Sequence, residues 1–324
     1  MEVSIVIVNY NGKNMLKGTL ESINKIISIN HTNKTGKKNY EIMVVDNNST
    51  DGSVGFVKKN YPDVEIIHNK KNLGYSGINS ALPHCNGKYI LFLNNDIEVG
   101  NGCIKELTRV MESDDEIAMT APKLVNYYDK KLKSGGTWVS RSFYNGHIAD
   151  TDEIKEIPYL GVGLIRKSIV DKFNYLFDND YFIYAEDLDL GLRLRLIGYK
   201  VVFVPKAILY HRHAATTKKF NSAFTTFLLE RNLLTTFLKI LSLKNIILFL
   251  PYVFLIRVFA VTRDVITFRF ANAFSRLKAI FWILFNFKLI YEKRKKLQKL
   301  RVADDKFILK IFSEKYIFEQ PILV

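Results

Sequence analysis

The chain has 324 residues, enough for one large domain or for one domain with an appendage. Hydrophobic residues make up 48% of it, which supports a sizeable core and excludes a disordered polypeptide. The net charge of +15 is concentrated, with 21 Lys and Arg against 7 Asp and Glu from Arg212 onward, so the C-terminal third is the part suited to an anionic partner.

In chain order, β-branched apolar runs predict strands at Val3–Asn9, Glu41–Asp46, Val64–Asn69 and Lys88–Asn94. Helical segments are expected between them at Lys13–Ile29, Asp51–Asn60 and Tyr75–His84, with a surface loop at Thr32–Asn39. This βαβαβαβ order calls for an α/β fold with a mostly parallel sheet and helices on both faces. A short strand follows near Ala118–Pro122, then a Gly- and Tyr-rich stretch as far as Pro158. Tyr159–Arg166 reads as a strand, Ala185–Gly198 as a helix stopped by its glycine, and Lys200–Val204 and Ala207–Tyr210 as two short strands. Beyond His211 the texture changes to long helices rich in Phe, Leu, Ile, Lys and Arg. A boundary near Lys218 divides a domain of residues 1–217 from a basic, aromatic-rich helical region of residues 218–324. The two cysteines, Cys85 and Cys103, are too few for a disulfide framework and fit a reducing compartment. The N-terminus, Met1-Glu2-Val3-Ser4, lacks a basic segment before an apolar core, so no secretory signal is expected.

Two of the expected strands end in clusters of Asp and Asn. Tyr89–Leu93 runs into Asn94-Asn95-Asp96, and Ile42–Val45 into Asp46-Asn47-Asn48-Ser49-Thr50-Asp51. Carboxylates at the carboxyl edge of such a sheet sit where open α/β folds bind nucleotides. The same residue types also make Asx turns and helix caps, and a capping role is assigned to Asp51. Asn72-Leu73-Gly74-Tyr75-Ser76-Gly77 allows a backbone to approach a ligand closely. Glu186-Asp187-Leu188-Asp189 opens a helix, where the helix dipole alone favours carboxylates. Gly161-Val162-Gly163 reads either as a pocket wall or as a strand bulge.

Taken together, VSIVIVNYNG (Val3–Gly12), VVDNNSTDGS (Val44–Ser53), NKKNLGYSG (Asn69–Gly77), YILFLNNDIEV (Tyr89–Val99) and YAEDLDLGLRLRLIGYKV (Tyr184–Val201) resemble the family 2 inverting glycosyltransferases of GT-A fold, close to their rhamnosyltransferase-like branch. The resemblance covers roughly the first two thirds of the chain, on the domain sizes above. It implies a GT-A (Rossmann-like) fold and transfer of a sugar from a nucleotide-sugar donor, a UDP- or dTDP-sugar. The acceptor would be a hydroxyl of a lipid-linked or glycan molecule. It implies that Asp187 is the catalytic base. Asp96 binds Mg²⁺ or Mn²⁺, with His211 or His213 completing the site, and His211 preferred from its place after a strand. Asn9, Asp46, Asn72, Asn79 and Asn95 form the expected nucleotide-binding set, Asp46 at the base. Gly161, Gly163 and Glu186 would position the sugar or the acceptor. The chain departs from the family pattern after Gly77, where Ile78-Asn79-Ser80 replaces Gly-Asn-Asn, and in the reduced Asn94-Asn95-Asp96 signature.

In the C-terminal third, Ile246–Ile256 and Ala279–Phe287 are uncharged but too short to span a bilayer alone. Arg257, Arg263 and Arg269 interrupt the longer run, and Lys293-Arg294-Lys295-Lys296 forms a polybasic patch. These helices suit the headgroup plane of an anionic leaflet, which implies a cytoplasmic protein peripheral at the inner membrane face. They equally suit a subdomain packed on the core or on a second copy. No recognition motif for nucleic acid accompanies the charge. A sugar nucleotidyltransferase is the enzymatic alternative, disfavoured by Asn9-Tyr10-Asn11-Gly12 where a basic glycine-rich loop would stand. A catalytically silent scaffold is the non-enzymatic one.

Overall fold

The β-branched apolar residues Val3 and Ile5–Val8 make Val3–Asn9 a strand (β1) buried along nearly its whole length, as the centre of a parallel sheet requires. The computed structural model describes residues 2–29, 39–148, 151–212 and 222–313. After β1 come α1 (Lys13–Ile29), β2 (Tyr40–Asp46), α2 (Ser53–Asn60), β3 (Glu65–His68), a 3₁₀ segment (Gly74–His84) and β4 (Tyr89–Asn94). Then follow β5 (Ile97–Val99), α3 (Cys103–Met111), β6 (Ile117–Asn126), β7 (Leu132–Ser134), β8 (Thr137–Val139), β9 (Asn145–His147) and β10 (Lys155–Ile157). The rest comprises β11 (Gly163–Arg166), α4 (Lys167–Val170), α5 (Glu186–Leu196), β12 (Lys200–His211) and the helices α6 (Ser222–Ile240), α7 (Leu243–Ile266), α8 (Phe270–Phe285), α9 (Phe287–Gln298) and α10 (Asp305–Leu309).

The main sheet runs β10-β12-β6-β11-β4-β1-β2-β3, with β5 added to β12 and β7 to β6. β1 pairs in parallel with both β2 and β4, so Asn9 lies level with Asp46, and Val8 with Asn94. β11 runs antiparallel to both β4 and β6, and β12 is parallel to β6. This is the mostly parallel α/β arrangement expected, with the carboxyl ends of β1, β2 and β4 opening onto one edge.

Three elements differ from expectation for local reasons. Residues 74–84 wind as a 3₁₀ helix rather than an α-helix; Pro83 lies inside it and has no N–H to donate. The two strands expected after residue 199 are one strand, β12, whose register shift between Val204 and Ile208 accommodates Pro205. The strand expected at Tyr159–Arg166 is regular only from Gly163. There a Cβ would stand 2.6 Å from the Thr120 carbonyl oxygen, so the glycine lets β11 and β6 close up. The domain boundary expected near Lys218 lies outside the described residues.

The C-terminal helices share the core of the sheet domain. Leu233, Phe237, Ile240, Ile246 and Leu297 belong to the same buried apolar cluster as β1 and β4. Ion pairs reinforce this contact: Lys239 of α6 lies 2.7 Å from Asp178 Oδ2 and 2.7 Å from Asp189 Oδ1, while Arg193 holds Asp189 Oδ2 at 2.8 Å. Burial alone would raise Asp178, yet Lys239 and Lys293 hold it well below the usual carboxylate range. Breaking a buried pair by removing one partner typically costs about 3–5 kcal/mol. Both acids keep a second cation, so Lys239→Met should cost about 3 kcal/mol, at the lower end of that range, as read from urea unfolding. A loss below about 1 kcal/mol, the level of a surface pair, would show that the contact is not structural.

Candidate active site

Each strand that ends at the open edge delivers one polar side chain, and a shared network fixes them. Asn95 Nδ2 donates to Asn9 Oδ1 at 2.7 Å, and Asn9 Nδ2 in turn lies 3.3 Å from Asp46 Oδ1 and 3.0 Å from Ser53 Oγ. Gly12 is needed here, because a Cβ would stand 2.0 Å from Asn95 Nδ2. Asp46 is buried and accepts the Ser49 N–H at 3.0 Å, the Asx-type turn its sequence suggests. Its Oδ2 also lies 3.6 Å from His68 Nδ1. Asp51 joins two helix starts rather than capping by itself: its carboxylate accepts N–H groups from Lys13 and Ser53, while Gly52 holds the left-handed cap position of α2.

The loop after β3 is drawn in by Asn47, a residue to which the sequence assigned no role. Asn47 Nδ2 donates to the Gly74 carbonyl at 2.8 Å, and its Oδ1 accepts from Asn69 at 2.9 Å. Asn72 closes an Asx turn onto the Gly74 N–H at 2.9 Å. Gly74 has φ +63, and a Cβ there would collide with the Phe182 carbonyl at 1.9 Å, so this position brings two loops together. Asn79 is committed elsewhere: its amide binds the backbone of Leu176 and Phe177 and the side chain of Asn179.

Asp96 follows β4 and is buried. The β5–β12 ladder sets His211 opposite Ile97, which places its Nε2 3.0 Å from Asp96 Oδ2. Asp96 Oδ1 has no hydrogen-bond partner. A buried anionic oxygen left open beside an imidazole is a donor pair for a divalent cation. Among the described residues no group of three His, Cys, Asp or Glu gathers, so other donors would have to come from a ligand. His213 lies outside the described residues.

Glu186 and Asp187 open α5 from a strained turn in which Tyr184 (φ 69) and Ala185 (φ 59) both adopt left-handed backbone. Such conformations cost about 1–3 kcal/mol each and persist only where the surroundings impose them. Asn232 of α6, fully buried, imposes this one by donating to the Ile183 and Tyr184 carbonyls at 3.1 and 2.7 Å. Asp187 Oδ1 accepts the Leu188 N–H at 2.8 Å. Its Oδ2 faces Gly161, where a Cβ would stand 3.2 Å away. Burial pushes Asp187 up to about 6, and burial with the Asp187 charge pushes Glu186 up to about 8. Gly163 sits within the sheet and is explained by strand packing. Tyr75 ties the site together, donating to the Gly161 carbonyl at 2.5 Å and stacking on Phe177. Burial and the charges of Glu186, Asp187 and Asp96 raise its hydroxyl well above the usual tyrosine range.

The structure therefore brings Asn9, Asp46, Asn95, Asp96, His211, Gly161, Glu186 and Asp187 to one edge. The residues that sequence reasoning passed over are Asn47, Tyr75 and Asn232. The first two stand inside motifs already conspicuous for Asn and Gly, whereas nothing around Asn232 in an apolar helix marks it. Asn232→Leu removes both donors at similar volume and should destabilise the fold by about 1–3 kcal/mol, the cost of stranding buried carbonyls. Hydrogen exchange at residues 183–188 should accelerate with it, and unchanged exchange there would show that the turn holds itself.

This geometry agrees with the comparisons. The family model for glycosyl transferase family 2 matches residues 4–173. The N-acetylglucosaminyl-diphospho-decaprenol L-rhamnosyltransferase of Mycobacterium tuberculosis is 24% identical over 208 residues, covering 54% of this chain and 67% of that protein. The poly(ribitol-phosphate) beta-glucosyltransferase of Bacillus spizizenii is 36% identical over 106 residues, which is 31% of this chain. The chain matches only 16% of that relative's length. Among solved structures, GalNAc-T7 with UDP, GalNAc and Mn²⁺ aligns with a TM-score of 0.58 at 17% identity, over 73% of this chain and 47% of that one. At that identity the likeness is one of GT-A fold. The family match spans more than half of the chain and takes in the strand-end cluster from Asn9 to Asp96, so the chain belongs to glycosyltransferase family 2.

Proposed function

We propose that the chain transfers a sugar, with inversion, from a UDP- or dTDP-sugar to a hydroxyl of a lipid-linked or glycan acceptor in cell-surface polysaccharide or glycoconjugate synthesis. The observation that carries this reading is the pairing of Asp96 with His211, one Asp96 oxygen left without a partner, beside the Asn95–Asn9–Asp46 network, with Asp187 facing the Gly161 backbone that Tyr75 binds. A departing diphosphate and an acceptor hydroxyl losing its proton must lie side by side, and each needs a carboxylate of its own. The name of the mycobacterial relative specifies a lipid diphosphate acceptor and a rhamnosyl donor, which supports a lipid-linked acceptor and so a membrane surface as the place of reaction.

On this reading Asn9, Asp46, Asn72 and Asn95 line the nucleotide side, with Asp46 at the base. Asp187 Oδ2, which faces Gly161, takes the acceptor proton as the hydroxyl oxygen attacks the anomeric carbon. The new C–O bond forms as the bond to the diphosphate oxygen breaks, and the electron pair leaves with the diphosphate. Glu186, raised to about 8, is protonated near neutrality and offers an O–H to position the acceptor. Asp96 and His211 would hold Mg²⁺ or Mn²⁺, since the open Asp96 Oδ1 is a hard oxygen donor of the kind such ions take together with phosphate. When bound, such an ion offsets charge on the leaving diphosphate. The UDP and Mn²⁺ in the GalNAc-T7 structure are in keeping with that assignment.

Asp187→Asn should abolish transfer while leaving donor binding intact, and retained transfer would remove Asp187 from the role of base. Because the base must be ionised, wild-type kcat should fall as the pH drops through about 6 and level off above it. A profile that instead broke near the ordinary aspartate value of 3.8 would mean that Asp187 is not the titrating base.

A ligand that binds only the native state raises its melting temperature with occupancy. UDP or dTDP with Mn²⁺ or Mg²⁺ should therefore raise Tm more than the nucleotide alone, and Asp96→Ala should erase that difference. An unchanged difference in the variant would place the cation elsewhere, and no shift with any nucleotide would favour a silent scaffold.

A further inference from the structure

We propose that the outer faces of α7 and α8 form a docking surface for an anionic lipid bilayer, with both helices lying in the membrane plane rather than crossing it. This deepens the membrane placement proposed above and leaves the transfer chemistry untouched.

Each helix divides into two faces. On α8, Phe270, Phe274, Leu277, Phe281 and Phe285 recur at helical spacing and are exposed, Phe285 to 86%. On α7, Leu243, Ile247, Leu250, Phe254 and Val258 do the same, and Phe268, 80% exposed, caps the turn between the helices. Single exposed apolar residues are ordinary, but two contiguous stripes on adjoining helices are not.

The inward faces set ion-paired residues among small and apolar ones. Arg257 of α7 is buried against Glu230 of α6 and donates to the Ser142 carbonyl. Arg276 of α8 binds Asp264 of α7 at 2.7 Å and also pairs with Glu230, which accepts the Tyr144 hydroxyl at 2.5 Å. α7 has 24 residues and is long and apolar enough to cross a membrane, at about 36 Å for a rise of about 1.5 Å per residue. A transmembrane pose would carry Arg257 and Asp264 into hydrocarbon and strand Glu230, whereas an in-plane pose keeps every one of these pairs. The arginine that interrupts the apolar run in sequence is thus the one that fastens the helix flat.

Charge selects the occupant. Lys244 of α7, Arg269 in the turn, Lys278 of α8 and Lys288, Lys295 and Lys296 of the following α9 are exposed, and the third of the chain that holds them carries nearly all of the net charge of +15. A second copy would bring two such basic surfaces face to face, which like-charge repulsion opposes, whereas an anionic leaflet attracts each of them. The surface also reaches the reaction loop: Arg231 lies over the Trp282 ring of α8, at 5.2 Å, and donates to the Asp180 carbonyl. Its neighbour Asn232 holds the turn before Asp187. Docking on α8 therefore sets that turn near the bilayer, where the headgroup of a lipid-linked acceptor lies.

The test is co-sedimentation of the full chain with vesicles of phosphatidylcholine alone and of phosphatidylcholine with one quarter phosphatidylglycerol. The wild type should bind the anionic vesicles at least about tenfold more tightly, the size of effect that several surface lysines produce. Phe281→Ser with Phe285→Ser should lose about tenfold or more of that binding, and Lys295→Glu with Lys296→Glu should lose the preference for anionic lipid. UDP-induced thermal stabilisation should survive in both double variants, which separates loss of docking from loss of the nucleotide site. Equal binding to both vesicle types, or none to either, would overturn the proposal. So would a dimer in sedimentation velocity that the phenylalanine variant dissolves, since a second copy would then cover the face. A fragment protected from protease within sealed vesicles would overturn the in-plane pose.

Discussion

A carboxylate taken out of water must be paired, hydrogen-bonded or protonated, and this protein sorts its buried acids by that rule. Asp178, Asp189, Glu230 and Asp264 each meet a lysine or arginine within ion-pair distance. Asp46 is held by the Asn9 amide and the Ser49 N–H. Among the described residues no lysine or arginine lies within ion-pair distance of Asp96, Glu186 or Asp187, and Asp96 meets only the His211 imidazole. Asp96 keeps one oxygen open, Glu186 likewise, and burial raises both Glu186 and Asp187. Structural acids and reactive acids therefore differ in how completely the fold neutralises them, and the incompletely neutralised ones gather in one place.

Such a group is unstable unless something rigid enforces it, and here the C-terminal helices supply that rigidity. The paired acids Asp178 and Asp189 flank the strained turn at Tyr184 and Ala185, and Lys239 of α6 binds both. Asn232, two turns earlier on the same helix, holds the turn itself. The helix thus fixes the turn from outside while α5 presents Glu186 and Asp187 from its first turn. An α6 devoted only to membrane contact would have no need of a fully buried lysine and asparagine. The basic, aromatic-rich third of the chain is part of the site's scaffold as well as an outer surface.

How legible this was in the sequence depended on range. β1, β4 and α1 were readable because each is a continuous apolar run or a clean helical pattern, and the Asp/Asn clusters marked their ends. Local exceptions were harder: Pro83 and Pro205 lie within the segments whose form differed, and a proline shows where regularity breaks without showing what replaces it. His211 was placed by its position after a strand, and the β5–β12 ladder that brings it to Asp96 depends on a pairing between residues more than a hundred apart. Nothing local in the sequence states such a pairing. For the same reason Asp189 read as one of the carboxylates that open a helix and Arg257 as an interruption of an apolar run, although both are ends of long-range ion pairs.

The strained turn explains why these long-range contacts had to be strong. Two consecutive non-glycine residues in left-handed backbone cost about 1–3 kcal/mol each, and a glycine at either place would relieve the strain. Gly198, just after α5, shows that this chain does use glycine where a left-handed corner needs only to be made. At 184 and 185 the chain instead carries side chains, and burial, with the Glu186 charge second, raises the Tyr184 hydroxyl. A glycine pair there would cost less in the folded state but would let the turn sample other conformations, and Asp187 would move with it. Holding the reactive carboxylate to one position beside Gly161 is worth a few kcal/mol of local strain only if position limits the reaction. The buried pairs on α6 are what allow the fold to carry that strain.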